Sequence, residues 1–234
     1  MSNFNLKKIS QRKKLFYQKN NLFDEIGINL IEDKIKFIKK SLNNVLLLDE
    51  IDFKSNEIVK YCEYCDFRDI NNIKIYDAII SNLNLQVPFS ENIEQSMSLL
   101  HKLIRKDGLL CFNLLTTNSM ITLKRIFFEI DTFVFQGAYN RFGPFHEASD
   151  IIEKLNNYKF KDIVVSNELI EINYKSFEKI RDDFKESGLI NPYIQSQDFK
   201  KDFLIKTKSI FSNILKKHEL IPLELEIATF TAWK

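Results

Sequence analysis

The residues best placed to do chemistry in this 234-residue chain are Asp49, Ser81 and Asn82, because each follows directly on an apolar run that reads as a buried strand. "VLLLDE" (45 to 50) ends in acids, and the apolar run in "YDAIISNLNL" (76 to 85) leads into Ser81-Asn82. In open parallel sheets ligands collect outside the carboxyl ends of the strands, near the point where strand order reverses. A carboxylate there can accept both hydroxyls of a ribose, and small polar side chains let a flat ring approach the backbone. The plainer alternatives are an Asp49 that caps the next turn and a polar turn at Ser81-Asn82.

A second set lies in the loop "QGAYNRFGPF" (136 to 145), which holds two of the five glycines. Arg141 offers a fork that fits a carboxylate or phosphate, and Tyr139 offers a hydroxyl. His146 follows directly and is the histidine to watch, with an exposed loop imidazole as the plain reading. No G-x-S-x-G occurs, and no histidine has a serine or cysteine at an instructive spacing. "CEYC" (62 to 65) is formally a C-x-x-C. On a strand, positions three apart face opposite ways, so the two thiols cannot easily share a metal or a disulfide. A zinc site also needs about four ligands, and no second pair exists.

These residues need elements to hold them. Isoleucines 28, 31, 35 and 38 recur at helical spacing, which predicts a helix over 22 to 41 after a first helix over 5 to 20. Strands are expected at 44 to 49, around "YCEYCDF" and within 74 to 85, with a short helix at 56 to 61. A helix opened by Ser90 runs to about 106 and leads into "LLCFNLL", a further buried strand. Near-continuous apolar strands joined by helices mark a parallel sheet covered on both faces. Helices follow at 119 to 130, 147 to 156, 176 to 186 and 198 to 217, with a strand at about 160 to 173. The last strand, 223 to 232, alternates, as an edge or antiparallel member does. The pattern predicts an α/β protein with a helical N-terminal segment (1 to 42) and a main domain (43 to 234) carrying an inserted helical lid at about 175 to 217.

Composition narrows the function classes. Hydrophobic residues make up 44% and aromatics 13%, enough for a core of one domain, and no apolar stretch approaches a membrane span. The formal charge is only +2, and the basic residues are mostly lysine with six arginines, so no nucleic acid partner is expected. Three cysteines exclude a disulfide framework and fit a reducing compartment: the bacterial cytoplasm, or alternatively the mitochondrial matrix. Residues 1 to 20 carry six Lys or Arg before the first acid, Asp24, without a secretory core. A mitochondrial presequence favours Arg and Ser over Lys and Asn, so an amphipathic helix is the preferred reading.

"QRKKLFYQKN", "YDAIISNLNLQ", "LLHKLIRKDGLLCF", "NRFGPF", "YKSFEKIRDDFKESGLIN" and "ATFTAWK" resemble, in this order, a family of class I S-adenosylmethionine methyltransferase-fold proteins. The family joins the biotin-pathway malonyl-carrier-protein methyltransferases and a complex I assembly factor that hydroxylates an arginine. The resemblance implies a Rossmann-like, mostly parallel sheet with an antiparallel last strand and an N-terminal helix over the cofactor site. It implies S-adenosyl-L-methionine as cofactor, lined by Asp49, Ser81, Asn82 and Leu83, with Asp66 and Phe67 as the acid-plus-apolar pair flanking the adenine. Asn140 and Arg141, within 137 to 145, match a region beside the active site, and Tyr174, Gly188 and Asn191 match the lid. Tyr139, Arg141 and Tyr174 are the substrate candidates. An acyl carrier protein or a respiratory complex I subunit is the implied partner.

The departures are physical. The family's first strand leads into a glycine-rich loop, because a Cβ would block the approach of the backbone to the methionine part of the cofactor. Here "EIDFKS" stands in that place, and no glycine occurs between Gly27 and Gly108. Roughly 31 positions separate Val45 from Tyr76, whereas one strand-helix-strand crossover alone takes about 30. The helix and strand that would carry the ribose acid are therefore reduced. A family Thr-Leu pattern survives as Thr122-Leu123 without its Glu and Arg. Two main readings stay open: a methyltransferase or related hydroxylase, and a catalytically degenerate partner in complex I assembly. A role in biotin synthesis, with Lys7, Lys8, Arg12, Lys13 and Lys14 docking an acidic carrier protein, is the third.

Overall fold

The computed structural model describes residues 3–7, 9, 11, 22–48, 62–70, 74–187, 192–194 and 200–234. Asp49, Glu50, the expected helix at 56 to 61, Gly188, Asn191, Lys8, Arg12, Lys13 and Lys14 lie outside the described residues. Helix α1 (Leu22–Ile35) precedes strand β1 (Val45–Leu48). Strand β2 (Cys62–Cys65), a short 3-10 turn (Phe67–Asp69) and strand β3 (Tyr76–Asn82) follow. Next come α2 (Gln86–Leu103), β4 (Ile104–Leu115), α3 (Ile121–Phe135) and α4 (Ala148–Asn157). The chain ends with β5 (Lys161–Tyr174), α5 (Phe177–Ser187), α6 (Lys201–His218) and β6 (Ile221–Trp233).

The six strands form one sheet in the order β2-β1-β3-β4-β6-β5. β1 pairs in parallel with both β2 and β3, β3 pairs in parallel with β4, and β6 runs antiparallel to β4. The chain leaves β1 toward β2 and then returns to β3 on the other side, so the order reverses between β1 and β3. A doubly wound half ordinarily carries two strands outside the first. Among the described residues this sheet carries one, of four residues.

Packing follows the two-residue period of the strands. Leu46, Leu48, Ile79, Leu110, Phe112 and Phe230 face one way and pack with Met97 and Leu100 of α2 and with Ile151 and Leu155 of α4. Val45, Leu47, Ala78, Ile80, Leu109 and Cys111 face the other and pack with Ile31 and Ile35 of α1. Both faces being filled, these strands read as unbroken apolar runs, as expected. β6 alternates at first. Over Ile227–Phe230 both its faces are buried, after which the alternation resumes, and because β4 and β5 flank it the edge strand is β5.

Two helices begin or end elsewhere than periodicity suggests. α1 stops at Ile35, although Ile38 beyond the turn still packs on the same cluster. α2 begins at Gln86 but breaks at Asn92 (φ −162°, ψ 90°), whose side chain accepts from the Gln95 amide at 3.0 Å. The cap of the long helical segment is therefore Asn92, two residues beyond Ser90.

The chain forms two compact units. One comprises Asp24–Thr117, Phe145–Glu168 and Ile227–Lys234, within the described residues, and holds the packing just described. The other comprises described residues of Met1–Phe23, Asn118–Pro144 and Leu169–Glu226. Its core is aromatic: the Phe127 ring lies 5.0 Å from Phe142, 5.6 Å from Phe203 and 6.2 Å from Phe177, and Phe177 lies 4.8 Å from Phe211. Phe127→Ala should cost about 3–5 kcal/mol, because a rigid ring cluster cannot collapse into the space left. Urea unfolding followed by far-UV circular dichroism measures it.

Candidate functional site at the strand ends

At the end of β3, Ser81 is fully buried and Asn82 nearly so. Ser81 pairs with Leu48, the last residue of β1, so these residues stand at the point of reversal. Asn84 reaches across the same place and donates to the Leu48 carbonyl at 3.2 Å. Leu83 sits in the left-handed region at φ 57°, an uncommon conformation for a bulky residue that stores about 1–3 kcal/mol of strain. Its amide donates to Asn113 Oδ1 at 2.8 Å, which holds the bend.

Asn113, in the middle of the apolar run of β4, is the residue that ties this end of the sheet together. While its Oδ1 accepts from Leu83, its Nδ2 donates to the Gly27 carbonyl of α1 at 2.8 Å. Asn82 Nδ2 donates in the same way to the Asp24 carbonyl at 2.9 Å. Two carboxamides thus seat the first turns of α1 on the ends of β3 and β4. The approach is so close that a Cβ at Gly27 would stand 2.1 Å from Asn82 Oδ1 and 2.9 Å from Asn113 Nδ2. That explains a glycine inside a helix, where it costs about 1 kcal/mol. The sequence carried signals for both residues: a lone Asn within "LLCFNLL" and a lone Gly within an isoleucine-patterned helix.

Ser81 Oγ has no hydrogen-bond partner among the described residues although it is buried. Such a group ordinarily finds a protein, water or ligand partner. Its place at the reversal point fits a nucleoside-type ligand there, and Asp66, directly after β2, is exposed on the same edge of the sheet. Asp66 Oδ1 accepts from the Arg68 amide at 2.9 Å and so caps the 3-10 turn. Phe67 is half-buried and packs on the main core.

The loop candidates are placed differently and belong to the other unit. Arg141 does form a bidentate fork, but the carboxylate it meets is Asp131: Nη2 to Oδ1 at 2.6 Å and Nε to Oδ2 at 3.0 Å. Arg141 is 2% exposed and Asp131 is fully buried. The guanidinium lies 4.8 Å from the Phe203 ring and 5.4 Å from the half-buried Tyr139 ring. Tyr174 is also buried and donates to Asp183 Oδ2 at 2.8 Å; burial first, and this bond second, push its phenol well above the usual range. Arg141 and Tyr174 are therefore engaged in holding their own unit together. The unusual backbone expected of this loop is present at Gly143, whose φ is 115°.

His146 Nε2 lies 2.8 Å from the Gln86 carbonyl. A carbonyl only accepts, so Nε2 carries the hydrogen and donates, and it is not a base toward the Ser90 hydroxyl 3.4 Å away. A cavity of about 400 Å³ lies beside it, lined in part by Phe89, Ser90, Ile93 and Asp150. Of the cysteines, Cys65 is free, and burial pushes the Cys111 thiol up to about 12. Among the described residues no three His, Cys, Asp or Glu come together to hold a metal. No helix of the described residues is long and apolar enough to cross a membrane.

The sheet order, the antiparallel last strand and the helices on both faces define a Rossmann-like class I S-adenosylmethionine methyltransferase fold. A Bacillus halodurans C-125 protein named as a methyltransferase shares it, with a TM-score of 0.52 over 88% of this chain and 98% of that one, at 10% identity. In sequence, the chain is similar to malonyl-[acyl-carrier protein] O-methyltransferase 1 of Coxiella burnetii, at 27% identity over 156 residues. That match takes in 64% of this chain and 51% of the relative, so the chain spans about half the relative's length. No protein-family profile matches the chain.

Three outcomes follow. Gly27→Ala should lower stability by about 1–2 kcal/mol despite the better helix propensity of alanine, since the new methyl meets a carboxamide fixed in a buried site; urea midpoints measure this. Asp131→Ala should cost about 3–5 kcal/mol, because it leaves the Arg141 charge buried and unpaired; thermal unfolding reads it. Burial holds the His146 imidazole below its ordinary 6.5, and His101 likewise. The unfolded chain then binds protons that the folded chain refuses, so stability is full above about pH 6.5 and declines as pH falls below it. His146→Gln should flatten part of that decline in urea titrations between about pH 7.5 and about pH 5.5.

Proposed function

We propose that the chain binds S-adenosylmethionine in the crevice outside the carboxyl ends of β1 and β3 and transfers its methyl group to a carrier-protein or other protein substrate. The observation that carries this reading is the buried Ser81 hydroxyl, unpartnered among the described residues at the point where strand order reverses. Ser81, the bend at Leu83 and the Asn84 contact to β1 are the residues that would hold the cofactor. When bound, it supplies a methyl group on a sulfonium that is already a good leaving group. Positioning is then the main work of the protein, and no acid-base pair is required.

Similarity to the Coxiella malonyl-carrier-protein methyltransferase supports an acidic carrier protein as substrate, and with it a place in biotin synthesis. The second reading is a catalytically degenerate member that works by contact alone, with a respiratory complex I subunit as partner. One observation favours it: among the described residues a single strand of four residues, β2, lies outside β1 on the cofactor side. The bacterial cytoplasm goes with the first reading and the mitochondrial matrix with the second.

Calorimetric titration with S-adenosylmethionine separates the two. The first reading predicts saturable heat, weakened about threefold to tenfold by Ser81→Ala through loss of one hydrogen bond. No heat and no thermal shift at millimolar ligand leaves the second.

A further inference from the structure

We infer that helix α6, together with Phe133 of α3, is a surface that docks on anionic lipid. The inference goes beyond the proposed function and does not depend on it, since α6 and Phe133 belong to one compact unit and Ser81 to the other. The sequence of α6, "KDFLIKTKSIFSNILKKH", carries five lysines, no arginine and one acid, Asp202. Five cations against one acid leave four positive charges in one helix, whereas the whole chain carries a formal +2. Lys216 and Lys217 in the last turn complement the helix dipole, but Lys201 opens the helix, where the dipole disfavours a cation.

Phe203, Thr207 and Phe211, spaced by four, are buried and seat α6 on the aromatic core. On the opposite side Lys201, Ile205, Lys208, Ser212 and Lys216 recur at four, three, four and four, and all five are exposed, so they form one outward stripe. Ile205, amid those lysines, is 56% exposed. Lys206 reaches across to α3 and sets its Nζ 4.2 Å from the centre of the Phe133 ring, which is itself 70% exposed. A lysine stem laid along an apolar ring, with the ammonium in water, is the arrangement side chains take at a membrane surface. The kind of cation separates lipid from protein as the occupant. Protein interfaces favour arginine, are depleted of lysine and set an apolar core apart from a charged rim. Helices lying on anionic bilayers carry their cations on the outward polar face, with large apolar side chains entering the headgroup region. An all-lysine stripe with Ile205 and Phe133 among its charges fits the second.

The test is flotation of the full chain with vesicles of phosphatidylcholine alone and of phosphatidylcholine with phosphatidylglycerol in equal amounts. Salt is set at about 0.1 M and then at about 0.5 M, which shortens the screening length from about 10 Å to roughly 4 Å. Wild type should partition to the mixed vesicles about tenfold or more above phosphatidylcholine alone, and the higher salt should shrink that difference. Lys201→Gln with Lys216→Gln should weaken the partition by about fivefold for each lysine removed. Phe133→Ser should weaken it about threefold to tenfold and leave the salt dependence in place. Phe133→Trp should show blue-shifted emission on the mixed vesicles only. All three positions are exposed, and far-UV circular dichroism checks that the variants keep the fold. Equal partition to both vesicle types, or none to either, overturns the inference. Binding to soluble polyglutamate in place of the mixed vesicles assigns the stripe to an acidic protein and overturns it too.

Discussion

The carboxamides of Asn82 and Asn113 are the constraint on which the strand-end site depends. One Asn113 side chain bonds the Leu83 amide and the Gly27 carbonyl at once, and Asn82 bonds the Asp24 carbonyl beside it. A buried carboxamide that left these bonds unmade would cost about 1–3 kcal/mol for each group. The backbone of α1 therefore lies against the ends of β3 and β4, and Gly27 has to be glycine. The same bonds hold Leu83 in a conformation it would not adopt alone. Strain at a strand end, fixed from two sides by buried bonds, is what a prearranged binding edge requires.

The rest of the sheet shows where its apolar packing is concentrated. Both apolar clusters are built on β1, β3 and β4, with Met97, Leu100, Ile151 and Leu155 on one side and Ile31 and Ile35 on the other. β2 adds only four residues at an edge and pairs with a β1 that is already buried on both faces. Its contribution to apolar burial is correspondingly small.

Much of this was legible in the sequence, for identifiable reasons. The strands at 45 to 48, 76 to 82 and 109 to 115 are near-continuously apolar, as strands of a sheet covered on both faces are. The span between Val45 and Tyr76 read as shortened, and 49 to 61 and 71 to 73 within it lie outside the described residues. Other features were not legible because they depend on partners distant in sequence. Arg141 read as a fork awaiting an anion, and nothing local said that Asp131, on the preceding helix, would meet it in a buried aromatic surround. Asn92 could not be told from Ser90 as the helix cap by residue type alone. β6 read as an edge or antiparallel member because it alternates; it is antiparallel to β4 but interior to the sheet, and Ile227–Phe230 are buried on both faces.

Arg141 and Tyr174 are buried and paired with Asp131 and Asp183, which residue type alone did not tell, and Ser81, an ordinary serine in the sequence, becomes informative once it is buried without a partner among the described residues. The measurement that tests the account most directly is a crystal structure of the chain grown with S-adenosylhomocysteine. The account predicts the adenosyl group outside the carboxyl ends of β1 and β3, within hydrogen-bond distance of Ser81, with α1 still seated on Asn82 and Asn113. Ligand bound away from that edge, or an empty edge at saturating ligand, would contradict it.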